Sequence, residues 1–269
     1  MNGSLRQIDA GALSVGYVDA GPIDGRPVLL LHGWPYDIYS YDDVVPRLTS
    51  VGYRAIVPYL RGFGATRFLS DETPRNGEQA ALARDVIALM DRLEIESAVL
   101  AGFDWGARTA CIVAALWPER CSALVSAGGE LGWCYQDYFA TERGRRAYAE
   151  NRREFNRLVW RRASPRWNFD DATYDRTARS FDNPDHVDVV IHAYRRRLAP
   201  ADAEQQGPVI TVPTITIGGD ADDVVTAGCA EQFAGPYSHR VLNCIGHNVP
   251  QEAPQAFADA VAWVSSRAA

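Results

Sequence analysis

The residues with chemistry to offer are a carboxylate, a histidine and a second carboxylate, far apart in the chain but each at a turn. Asp104 stands in Gly102-Phe103-Asp104-Trp105-Gly106, with the apolar run 97–101 leading in and the helix-forming run 107–116 leading out. Gly-x-Asp-x-Gly is the nucleophile-elbow pattern Gly-x-Ser-x-Gly with a carboxylate in place of serine. At such a turn a strained backbone lifts the central side chain above the sheet, and the flanking glycines leave room for the crowded chain. A nucleophile there needs a base, and the base needs an acid to orient it. Nucleophile, acid, histidine is one known chain order. Of the five histidines, His32, His186 and His192 come too early, whereas His239 and His247 follow a plausible acid loop. His247, in Gly246-His247-Asn248 beyond the last strand, has the better position. The acid loop is Gly218-Gly219-Asp220-Ala221-Asp222-Asp223, and its three carboxylates will not all reach one imidazole. Asp222 is preferred because the gap after Gly219 lets the loop turn back. Asp220 is the reserve, Glu130 a more distant candidate, and Asp223 suits a helix cap.

These turns need a scaffold, and the apolar patterning supplies one. Leu5–Ile8 and Leu13–Asp19 read as an antiparallel pair. The runs 27–31, 54–57, 97–101 and 122–126 are apolar without alternation, as strands buried on both faces of a parallel sheet are. Helices are expected over 38–50, 77–93 (apolar at Leu82, Val86, Leu89, Met90 and Leu93) and 107–117. The alternation stops between Glu130 and Gly207, where the chain is helical in propensity and rich in Arg, Tyr and Trp. Strands return at 210–217 and 240–244, with helices over 224–233 and 255–264. The expected architecture is α/β: a mostly parallel sheet covered on both faces, with residues 1–129 and 208–269 forming the core and 130–207 a helical lid inserted above the functional loops.

Composition bounds the partners. The chain has 269 residues and a formal charge of −7, which disfavours nucleic acid, and no apolar run reaches the length of a membrane span. All 27 basic residues are arginine, crowded at 143–166 and 195–197, where helical arginines read as solvated faces. The first residues hold no cationic segment followed by an apolar one, so a cytoplasmic protein is expected. Five scattered cysteines without a Cys-x-x-Cys pair read as free thiols.

Four motifs together resemble the α/β-hydrolase superfamily over nearly the whole chain: His32-Gly33-Trp34-Pro35, Arg61-Gly62-Phe63-Gly64, the elbow, and Gly246-His247 with Pro250-Gln251-Glu252-Ala253-Pro254. The resemblance implies an oxyanion hole from the backbone N–H groups of Trp34 and Trp105. An aspartate at the elbow narrows it. A carboxylate attacking an acyl carbon would give an anhydride, whereas attack on a saturated carbon gives an alkyl ester, as in epoxide hydrolases and haloalkane or haloacetate dehalogenases. Epoxide opening also needs a proton donor, and Tyr135-Gln136-Asp137-Tyr138-Phe139 and Tyr194-Arg195 resemble the two phenol-bearing lid segments of epoxide hydrolases, nominating Tyr135 and Tyr194.

The expected function is therefore a cofactor-independent and metal-independent epoxide hydrolase acting on a small, apolar or aromatic molecule through Asp104, His247, Asp222, Tyr135 and Tyr194. Trp34, Trp105, Arg108, Trp133 and Tyr138 are expected to line the substrate site. A dehalogenase is the alternative: Trp105 resembles a halide donor, and Arg108 one of the two carboxylate-gripping arginines of haloacetate dehalogenases, the other position here being Trp105. A ligand-binding relative without turnover is a third, which the retained triad speaks against. Tyr59 stands where many relatives have aspartate before the Arg-Gly-x-Gly loop.

Overall fold

The apolar runs become the middle of a nine-stranded sheet in a computed structural model that describes residues 3–128, 135–197, 209–222 and 230–268, with 135, 136, 196, 197 and 230 by backbone alone. In chain order the strands are β1 (Leu5–Ala10), β2 (Leu13–Ala20), β3 (Arg26–Leu31), β4 (Tyr53–Pro58), β5 (Arg67–Phe68), β6 (Ala98–Phe103), β7 (Cys121–Ala127), β8 (Thr214–Gly219) and β9 (Tyr237–Leu242). In space they run β1-β2-β4-β3-β6-β7-β8-β9, with β5 on the end of β2. Pairings from β4 to β9 are parallel, and β2 is antiparallel to β1, β4 and β5. Val28–Leu31 and Ala98–Phe103 are buried on both faces, which is why their apolar residues do not alternate. Each Val or Leu so buried contributes about 1.5–3 kcal/mol of transfer free energy.

The helices are α1 (Val44–Thr49), α2 (Gln79–Arg92), α3 (Trp105–Leu116), α4 (Tyr135–Phe139), α5 (Glu142–Ala163), α6 (Asp171–Ala178), α7 (His186–Arg197), α8 (Val249–Glu252) and α9 (Pro254–Ser265). Among them no described helix is long and apolar enough to cross a membrane. The single helix expected over 38–50 is instead a 3-10 turn, Ile38–Tyr41, and then α1, because the Asp37 carboxylate accepts the Tyr39 N–H and starts a tight turn of its own. The strand expected from 210 begins only at Thr214. Ile210 makes an isolated bridge to Phe233, and Pro213 lacks the N–H to extend the ladder. Strand β9 lies a few residues earlier than expected, since Cys244 has φ +62° and cannot continue it. Of the helix expected over 224–233 the described part is a 3-10 turn, Ala230–Gln232.

Between β7 and β8 the described residues form α4 to α7 and a 3-10 turn, Arg179–Asp182. This helical insertion is fastened to the loops that leave the carboxyl ends of the strands. Trp160 Nε1 donates to Pro35 O at 2.8 Å, His186 Nδ1 meets Gly62 O at 2.9 Å, and the His247 N–H reaches Ala163 O at 3.0 Å. Several of its arginines pair with acids on neighbouring elements of the insertion, Arg145 with Asp188, Arg152 and Arg153 with Asp182, and Arg195 with Glu142. The basic stretch is thus a largely solvated face answered in part by acids of the insertion itself, each exposed pair worth ~0–1 kcal/mol.

Candidate active site

Strand β6 runs into α3 through a single residue, and that residue is Asp104, at φ 51° and ψ −119°. A non-glycine side chain is strained there, and the glycines around it explain how the turn closes. A Cβ on Gly106 would lie 1.9 Å from Leu31 O, one on Gly102 2.4 Å from the Gly106 carbonyl carbon, and one on Gly33 2.6 Å from Asp104 Cβ. The carboxylate is buried, with Oδ1 accepting the Trp34 N–H at 2.9 Å. Trp105 opens α3, so its N–H is among the first-turn donors that no helix carbonyl satisfies.

The other oxygen, Oδ2, faces His247 Nε2 at 3.4 Å, and His247 Nδ1 lies 2.9 Å from Asp222 Oδ2. All three residues are buried. Burial opposes an imidazolium, but the hydrogen bonds and charges of Asp104 and Asp222 outweigh it and raise the His247 pKa to about 10. Asp104 goes the other way. Burial raises its proton affinity, yet the His247 hydrogen bond, the charges of Arg108 and His247 and the Trp34 N–H together hold the carboxyl below its ordinary range. Of the loop's other acids, Asp220 is exposed and accepts the Cys244 N–H at 2.5 Å, fixing the β9 turn rather than the imidazole. Glu130 and Asp223 lie outside the described residues. Gly128, at φ +68°, ends β7 directly over the imidazole, where a Cβ would come 3.2 Å from His247 Cε1.

The remaining histidines are occupied elsewhere. His32 Nε2 accepts the Leu60 N–H at 3.1 Å, which leaves Nδ1 as the donor to Gly33 O at 2.9 Å, and burial lowers its pKa to about 4. His186 is likewise buried and neutral, its pKa lowered to about 3. His192 accepts the Gly77 N–H, and His239 pairs with Thr216. Arg61 makes a bidentate pair with Asp85 at 2.6 and 2.7 Å, so the Arg-Gly-x-Gly loop is tied to α2, while Tyr59 takes its place beside β2 through the Gly16 carbonyl.

Tyr194, on α7, is buried with its ring 5.1 Å from that of Trp34 and 5.9 Å from that of Trp105. Tyr135 begins α4, its side chain outside the described residues, as is Trp133. Tyr138 is exposed, and the next residue, Phe139, turns inward against Trp34, Tyr148 and Tyr194. Arg108 Nη2 stands 3.7 Å from Asp104 Oδ2, one helical turn on. Trp160 stacks on Tyr36 and Trp167, a packing role. Sequence reasoning missed Tyr148, His186, Ser164 and Glu252 as supports of the site. Only Glu252 carried a signal, inside the motif that follows His247.

A model of the alpha/beta hydrolase fold matches residues 26–254. The chain belongs to the α/β-hydrolase fold family. Within that family, a provisionally assigned epoxide hydrolase from Klebsiella pneumoniae subsp. pneumoniae, known from its crystal structure, is 49% identical, with a TM-score of 0.91 and 97% of each chain covered. Curated α/β-hydrolase relatives match over shorter stretches. "Epoxide hydrolase 3" of Siraitia grosvenorii is 40% identical over 114 residues, 42% of this chain and 34% of that protein. A haloalkane dehalogenase of Mycolicibacterium paratuberculosis is 35% identical over 126 residues, 46% of this chain and 40% of that protein. The chain thus spans less than half the length of the curated relatives it matches.

Proposed function

We propose that this chain is a hydrolase that opens epoxides through an ester on Asp104. The observation that carries the reading is the buried line Asp222–His247–Asp104, with the far oxygen of Asp104 on the Trp34 N–H. Oδ2 attacks an epoxide carbon and the C–O bond breaks; the released alkoxide takes a proton from a phenol, Tyr194 or Tyr135. The imidazolium of His247 returns a proton to the phenolate, and the neutral imidazole then removes a proton from water, whose hydroxide adds to Cγ of the ester. Negative charge collects on Oδ1, where the N–H groups of Trp34 and Trp105 meet it. Collapse breaks the bond from Cγ to the original Oδ2, which leaves in the diol with the proton of the added hydroxide, and the water oxygen stays in the Asp104 carboxylate. The relative of the same length supports the epoxide reading, and the aromatic walls from Trp34, Trp105, Phe139 and Tyr194 suit an apolar or aromatic substrate. The helical insertion, by this reading, is the lid of the site.

One turnover in 18O-water tests it: the label is expected in the peptide holding Asp104 and not in the first diol. Asp104→Asn abolishes turnover, and His247→Ala accumulates an alkyl adduct visible by intact mass. An unlabelled peptide together with a labelled diol would mean direct attack by water and end the covalent reading.

Dehalogenation is the second reading, favoured by one feature. The Trp105 indole N–H is buried and has no hydrogen-bond partner among the described residues, and such a weak donor suits a halide. Halide release from haloalkanes or haloacetates without turnover of aryl or alkyl epoxides would decide for it.

A further inference from the structure

We propose that helix α5 is a positioning element for the second half-reaction, holding both the oxyanion donor and the base, while α4 and α7 carry the phenols of the first. This rests on Asp104 as the covalent nucleophile. The helix makes two separate grips, one from its middle and one from its end.

The first grip is on Trp34. Its Nε1–H donates to Tyr148 Oη at 3.1 Å, and Asn156 Nδ2 donates to the same oxygen at 3.3 Å. Tyr148 Oη also lies 2.8 Å from His186 Nε2. Because His186 Nδ1 faces the Gly62 carbonyl at 2.9 Å, Nδ1 holds the proton, and the phenol must donate to Nε2. The Trp34 indole N–H, the Tyr148 hydroxyl and both His186 ring nitrogens each have a partner in this buried chain, so the Trp34 ring is fixed from the lid side. Trp160, further along α5, holds Pro35 O. The peptide N–H that meets Asp104 Oδ1 lies in the loop these two grip.

The second grip is on His247. As α5 ends, Ala163 O and Ser164 Oγ both take the His247 N–H, at 3.0 and 3.1 Å. Ser164 Oγ donates in turn to Glu252 Oε1 at 2.5 Å, and the same carboxylate accepts the N–H groups of Gly246 and Asn248. The approach is close enough that a Cβ on Gly246 would fall 2.5 Å from Ser164 Cα. Backbone held on both sides in this way fixes where the imidazole stands between Asp222 and Asp104. Both gripped groups act on the ester: the N–H of Trp34 meets charge that forms when hydroxide adds, and His247 makes the hydroxide. A misplacement of about 1 Å at such groups costs roughly a hundredfold in rate.

Single-turnover quenching with intact-mass readout separates the two steps. In Ser164→Ala and in Tyr148→Phe the alkyl-enzyme is expected to accumulate, its hydrolysis slowed roughly ten- to hundredfold with alkylation within about twofold of wild type. Tyr194→Phe is expected to do the reverse. If both rate constants fall together in both variants, or hydrolysis is unchanged in both, the assignment of α5 is overturned. His247→Ala is the control. An adduct there without one in Ser164→Ala or Tyr148→Phe rejects the role of α5 alone, and no adduct in His247→Ala rejects the covalent reading beneath it.

Discussion

Asp104 and His247 set each other's proton affinity, and under the proposed mechanism ester formation would cut that link. In the free protein the imidazole faces two carboxylates, so it holds its proton and keeps Asp104 ionised, as the proposed attack requires. With Asp104 converted to the proposed ester its charge would be gone, and the His247 pKa would fall below the value of about 10. The imidazolium could then pass its proton to the phenolate left by alkylation and become a base. Alkylation itself would arm the hydrolytic step. The sign follows: alkylation stays flat toward acid because Asp104 remains charged there, whereas hydrolysis needs neutral His247 and falls about tenfold per pH unit below the new pKa. Single-turnover rate constants across pH check this, and a hydrolysis step that quickens toward acid would contradict it. Asp222→Asn removes the charge facing Nδ1 and should slow hydrolysis roughly 10²- to 10⁴-fold. Asp220→Asn, altering only the β9 turn, should leave the same rate constant within about threefold.

Elements decide how much of this was readable in the chain. Strands β3, β4, β6 and β7 were legible because burial on both faces demands unbroken apolar runs, and the elbow was legible because its glycines answer a steric need. Gly106→Ala forces a Cβ against Leu31 O and is expected to cost at least about 3 kcal/mol, or folding itself, by urea denaturation. The edge strand β9, half exposed, carries no such run and was misplaced. The contact line Asp222–His247–Asp104 could be anticipated from chain order and turn chemistry alone. The supports could not: Tyr148 and His186 are 38 residues apart, and nothing local to either says that they share a proton over Trp34. Ser164, followed by Pro165, carries no local sign of its contacts because its partners, His247 and Glu252, are distant in the sequence.

At the scale of the molecule, the insertion is bound to the core through a carboxylate as well. Asp37 is buried and accepts hydrogen bonds from Thr177 Oγ1 at 3.0 Å and Ser180 Oγ at 2.5 Å, both from the insertion, and from the Tyr39 N–H. Burial outweighs these bonds and the nearby Arg176 charge and raises its pKa from 3.8 to about 7. A carboxyl that binds its proton more tightly when folded stabilises the fold most at low pH and loses that contribution as pH rises through the folded value. Between about pH 4 and 7 the loss is on the order of 4 kcal/mol. Asp37→Asn, which cannot titrate, should show a flatter stability curve than wild type over that window in urea titrations. Parallel curves would mean that Asp37 stays ionised throughout.

The grip of Ser164 on the histidine loop also bears on how such proteins diversify. A helical insertion that merely covered a pocket could be exchanged between relatives at its two ends, with specificity moving and chemistry staying behind. Here Tyr148, Ser164 and His186 close hydrogen bonds onto Trp34, His247 and Gly62, so the boundary for recombination runs through the site. Under the proposed mechanism, a chimera that carries the insertion without its partners at 34, 62 and 252 is expected to form the alkyl-enzyme but hydrolyse it slowly, which intact-mass kinetics would read.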